Sequence, residues 1–105
     1  VAREAAPEGV VVVSPSGLIE EVDDVVCDLL GYTREEIVGL HGADLVPETA
    51  RPKTAVSVDR MRRGEVTARV GTMRCKDGSV VAVDVERRAM AGGLLVLSIR
   101  RRAGA

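Results

Sequence analysis

Residues 20–39 read EEVDDVVCDLLGYTREEIVG, and the stops and starts inside this stretch set the architecture of the whole chain. Asp23 offers a side-chain oxygen to the exposed amides of a new helix, and Asp24 suits the positive end of that helix's dipole. The helix runs from about residue 24 to about residue 30, where Gly31 supplies the left-handed residue that ends it. Thr33 and Glu36 stand at the S/T-x-x-E spacing of a capping box, so a second short helix begins just after Tyr32 and stops at Gly39. At roughly 100° per residue, Val25, Val26, Leu29 and Leu30 form one apolar stripe, Asp28 lies outside it, and Cys27 falls beyond its opposite edge. Cys27 is therefore expected on the flank of the helix, as a small apolar group whose neighbouring carboxylates disfavour a thiolate.

Upstream, GVVVVS at residues 9–14, the turn signal PSG and LIEEV at residues 18–22 predict a β-hairpin. Val10, Val11, Val12 and Val13 are all apolar, so both faces of this first strand need cover, as in the middle of a sheet. Downstream, GADLVPET has room for one more helical turn before Pro47. Pro52 suits the first turn of a longer helix that reaches Arg63 and stops at Gly64. Ala55, Val58 and Met61 give that helix an apolar stripe, opposite Lys53, Arg60 and Arg63. Beyond Gly64 the period changes to two. EVTARVGTMRC leads into the Asp-Gly turn of KDGS. VVAVDVERRAM puts Val81, Val83 and Val85 on one face and Ala82, Asp84 and Glu86 on the other, and AGG turns the chain into LLVLSIR at residues 94–100. Strand, strand, several short helices and three strands imply an α+β fold: a five-stranded antiparallel sheet with the helices packed on one face. The first and last strands, apolar on both sides, form its natural central pair.

With 105 residues, 46% of them hydrophobic, the chain suits one domain with a modest core. Trp and Phe are absent and Tyr32 is the one aromatic, so aliphatic side chains must fill that core. No segment approaches the roughly 20 consecutive apolar residues that span a bilayer, and neither a signal sequence nor a CxxC spacing is present. Cys27 and Cys75 thus suit a reducing, cytoplasmic setting. Net charge is −1, but residues 1–50 carry −9 and residues 51–105 carry +8, an asymmetry that complements itself within the fold or forms solvated faces. The expected organisation is an N-terminal flank over 1–8, a domain over 9–100, and a tail or linker to a missing output domain over 101–105.

Taken in order, PEGVVVVSPSGLIEEVDDVVCDLLGYTREEIVGL, ADLVPE, RRGE and RCKDGSVVAVDVERRAMAGGLLVLSIR resemble a PAS domain over nearly the whole chain. LLGYTREEIVG and KDGS are the most specific pieces. The chain departs from the family pattern at Asp23, often Asn, at Val46-Pro47-Glu48-Thr49, which lacks the frequent His, and at Arg100-Arg101-Arg102, where an Asp-Ile-Thr motif often couples the domain to its output helix. The resemblance implies a sensory or interaction module, found mainly in bacterial histidine kinases, cyclic-dinucleotide enzymes, phosphatases and transcription regulators. Some members hold haem, flavin or a metabolite between sheet and helices.

No cofactor is expected. Neither cysteine lies in the Asn-Cys-Arg block of the family's photoactive flavin site. His41, the single His, falls in a loop rather than on the long helix that would present a haem ligand, and one His with two distant Cys makes no zinc cluster. Asp23 and Asp24 are explained by capping, and no nucleophile and base stand together, so the domain is not expected to be an enzyme. Arg60, Arg62, Arg63, Arg69, Arg74, Lys76, Arg87, Arg88 and Arg100 to Arg102 lack the aromatic platforms or groove-entering motif of nucleic-acid binders and read as solvated faces. The primary expectation is a non-catalytic regulatory module of a bacterial signalling protein, acting through homodimerisation or docking to an effector domain of the same parent chain, without membrane insertion. Its dimer face would comprise Val10, Val11, Val12, Val13, Leu94 and Val96. The alternative is a sensor of an apolar small molecule, such as an aliphatic acid, in a pocket drawn from Leu29, Leu30, Ile37, Leu45, Val58, Met61, Gly71, Met73, Val83 and Leu97. Gly71 stands where the family usually has a larger apolar residue and so leaves space.

Overall fold

A computed structural model describes residues 7–102. The chain runs through β1 (Glu8–Val13), β2 (Ile19–Val22), α1 (Asp24–Leu30), α2 (Arg34–Ile37), 3-10 turns over Gly42–Leu45 and Glu48–Ala50, α3 (Arg51–Arg62), β3 (Ala68–Arg74), β4 (Val80–Ala91) and β5 (Leu94–Arg101). The strands form one antiparallel sheet in the order β2-β1-β5-β4-β3, with the first and last strands paired near its middle as their apolar runs imply. β1 and β5 each reach one residue past the expected limits of 9 and 100; residues 1–6 of the expected flank and 103–105 of the expected tail lie outside the described residues. No helix among the described residues is long and apolar enough to cross a membrane.

Local chemistry explains the helix starts. Asp23 Oδ1 accepts from the Val26 amide at 3.1 Å, while Oδ2 accepts from the Val10 amide at 3.0 Å, so one carboxylate both caps α1 and ties it to β1. Gly31 ends α1 at φ 82°. Thr33 Oγ1 accepts from the Glu36 amide and Glu36 Oε1 from the Thr33 amide, which completes the expected capping box of α2. α1 lies so close over β1 that a Cβ at Gly9 would meet the Val26 side chain and stand 3.0 Å from the Val26 nitrogen.

That approach sets the rotation of α1 and corrects the expected stripe. Val26, Cys27 and Leu30 are buried, whereas Val25 and Leu29 are half-buried, so Cys27 belongs to the core and not to the flank. Burial pushes its thiol up; the Asp24, Asp28 and Asp23 carboxylates add to this, and Arg34 opposes it.

Sheet alternation corrects the expected dimer face. Val11 and Val13 point inward with Gly9, opposite Leu97 and Leu95 of β5, and are buried in the core, while Val10 and Val12 point outward. Four consecutive valines leave this phase open, and strand pairing decides it. In β2, Glu20 is an extra residue in the pairing with β1, a bulge that lets Ile19 and Val22 both face inward despite their odd spacing.

α3 is held over the sheet by arginines. Arg62 Nη1 donates to the Gly93 carbonyl at 3.1 Å, its Nη2 donates to the Ser14 carbonyl, and Arg87 Nη1 donates to the Met61 carbonyl at 3.1 Å. Arg62 and Arg87 are therefore half-buried rather than the solvated side chains expected, and Arg69 is half-buried as well. Two ion pairs join the acidic and basic halves, Lys76 with Glu36 and Arg88 with Glu8; the others among the described residues lie within one half.

Candidate ligand site

Between α3, the Gly42–Leu45 turn and the inner face of the sheet lies a cavity of about 360 Å³. Its lining follows from the periods already described. α3 presents Val58 and Met61, the turn presents Leu45, and the sheet contributes Gly71 and Met73 from β3, Val83 from β4 and Leu97 from β5. Leu29, Leu30 and Ile37, also expected in the pocket, are not on this lining. Leu30 and Ile37 are fully buried elsewhere in the core, and Leu29 packs half-buried at its edge. They fall away because α1 covers β1 at Gly9, whereas α3 covers the other end of the sheet and leaves the space. Val11 and Val13, assigned by sequence to the outer face, line this cavity instead.

Sequence reasoning also missed its polar lining. His41, expected in a loop, stays exposed at the rim and caps the 3-10 turn: its Nδ1 accepts from the Ala43 amide at 3.0 Å, and its backbone amide donates to Asp44 Oδ2 at 3.0 Å. Arg51 Nε donates to the Ala43 carbonyl at 2.9 Å and to the Val46 carbonyl at 3.2 Å. Asp59 is the one carboxylate on the lining, and it pairs with Arg63 at 3.0 Å.

Arg69 stands apart. It shares the inner face of β3 with Gly71 and Met73 and lies opposite Val85. Its guanidinium folds over Gly71, where a Cβ would stand 3.0 Å from Nη2 and 3.2 Å from Cζ. The space that Gly71 leaves is thus occupied by the head of Arg69. Nε is buried with no hydrogen-bond partner, and no carboxylate among the described residues pairs with this side chain. Desolvation holds its pKa below the ordinary arginine value, although a guanidinium remains charged at neutral pH. The signal in the sequence was the period of two, Arg69, Gly71, Met73, which puts the arginine on the apolar face.

On the outer face, Val10 is 37% exposed, and Val12, Leu94 and Val96 are half-buried. Val12 pairs with Val96 across β1 and β5. The surrounding positions are charged: Arg88 pairs with Glu8 and with Glu86, and Arg102 with Asp84. Among the described residues, no three His, Cys, Asp or Glu side chains converge as metal ligands.

The family model of the PAS fold matches residues 2–96, and the chain belongs to this family. A search of curated proteins finds no match. Among solved structures, the chain is similar to a domain of a sensory box sensor histidine kinase/response regulator from Geobacter sulfurreducens, with 24% identity, TM-score 0.76, and coverage of 90% of this chain and 82% of that one. It is similar also to the PAS domain of a LuxR-family transcriptional regulator from Burkholderia thailandensis in complex with ethanol, at 18% identity, TM-score 0.76 and coverage of 94% and 92%. A third is the PAS domain of the Cronobacter turicensis RpfR quorum-sensing receptor in complex with C12:0, at 14% identity, TM-score 0.76 and coverage of 96% and 98%. At these identities the likeness is one of fold.

Proposed function

We propose that this chain is a non-catalytic sensory module whose signal is a small aliphatic molecule held between α3 and the sheet. The observation that carries the reading is the largely apolar lining of the cavity of about 360 Å³ between α3 and the sheet. The cavity falls within the roughly 300–1,000 Å³ typical of small-molecule sites, where a core serving only stability would close-pack. Its apolar lining is aliphatic, and Tyr32 is not part of it, which suits a flexible hydrocarbon chain. The similar PAS domains with ethanol and with C12:0 support a site of this kind. The reading includes neither haem nor flavin, and the occupied domain would pass its state to an effector domain of the same parent chain.

Titration with 1-decanol, with thermal unfolding followed by circular dichroism, tests this. Binding predicts stabilisation by about 2.7 kcal/mol at a hundredfold excess over Kd, lost in Val58→Trp, which fills the cavity from α3. The absence of any stabilisation across straight-chain alcohols and carboxylates from two to twelve carbons would overturn it.

The exposure of Val10 beside half-buried Val12, Leu94 and Val96 favours a second reading alongside the first, homodimerisation through the outer face of the sheet.

A further inference from the structure

Arg69 differs from the other two arginines of the cavity. Arg51 and Arg62 spend their hydrogens on backbone carbonyls. Arg69 has a buried Nε without a partner, and the single lining carboxylate, Asp59, is engaged by Arg63. A guanidinium taken partly out of water without a counter-ion is costly, and that cost is relieved when an anion completes the pair. The strand makes room for this cation at Gly71, where any side chain would press on the guanidinium. An apolar chamber with one unanswered, planar, two-pronged donor fits a molecule with an aliphatic body and a carboxylate head, which a guanidinium grips bidentately.

We propose that Arg69 anchors the carboxylate of an aliphatic carboxylic acid whose chain fills the cavity. This rests on the cavity reading above and assigns it a ligand class. The head would lie at the β3 end of the chamber, over Gly71 and Val85, and the chain would run toward Val58 and Leu97.

The test is isothermal titration at neutral pH of the 105-residue chain with three probes of one length: decanoate, 1-decanol and decylamine. Decanoate should bind at least about tenfold tighter than decanol, the increment expected of a charge-assisted hydrogen bond, and decylamine should bind most weakly. Arg69→Met should bring decanoate down to the level of decanol while decanol keeps its affinity. Gly71→Ala, which displaces the guanidinium without removing it, should narrow the same gap and serves if Arg69→Met does not fold. Decanol binding as tightly as decanoate, or the gap surviving both substitutions, would overturn this proposal and leave the cavity reading standing. Failure of all three probes to bind would overturn both.

Discussion

At the scale of single residues, Asp23 and Arg69 show two uses of a polar side chain in a small aliphatic fold. Asp23 has its oxygens answered by two backbone amides, one on α1 and one on β1, and so joins two elements at their common corner. Replacing it with Ala removes a helix cap and a strand tie, each worth about 1 kcal/mol. Asp23→Ala should therefore lower stability by about 2 kcal/mol in urea denaturation, and Asp23→Asn, which keeps a capping oxygen, should recover much of the loss. Arg69 is the opposite case, a side chain whose demand the protein leaves open. The capping role of Asp23 was legible in the sequence because it is settled within four residues of chain. The role of Arg69 was not, because it depends on which face of β3 looks inward and on what α3 leaves uncovered.

At the scale of elements, the same distinction separates what could be read from what could not. The limits of α1, α2 and α3 follow from caps, glycines and prolines, all local signals, and the hairpins follow from their turns. The facing of α1 and β1 does not. Gly9 admits α1 so closely that Val26 docks on the strand, which draws Cys27 into the core. In β1, four valines carry no alternation, so inward Val11 and Val13 were indistinguishable from outward Val10 and Val12 until pairing set the phase. The outer strip that remains is narrow and bounded by ion pairs, most of which contribute little when exposed. If two copies meet there, light scattering across a concentration series should give a dimer that Val10→Lys with Val96→Lys converts to monomer. A monomer at every concentration for the parent chain would contradict that reading.

For the whole molecule, the division of labour runs along the sheet. One end is closed by α1 and α2, whose Leu30 and Ile37 are fully buried, and the other is spanned by α3, whose Val58 and Met61 stand over a chamber. This explains why seven of the ten residues proposed from sequence share the cavity while Leu29, Leu30 and Ile37 serve the core. A helix stripe announces that a face is buried, but not whether its partner surface fills the gap. The charge asymmetry has a similarly plain resolution, since much of the basic half grips backbone carbonyls or pairs within its own half, and among the described residues only Lys76 and Arg88 form ion pairs with carboxylates of the acidic half.

The central claim, that the space under α3 receives a ligand, is tested most directly by methyl NMR spectra of the chain titrated with 1-decanol. The account predicts shifts concentrated at Val58, Met61, Met73, Val83 and Leu97, with Leu30, Ile37 and the outer-face Val10 and Val96 unmoved. Shifts confined to the outer face, or none with either 1-decanol or decanoate, would contradict it.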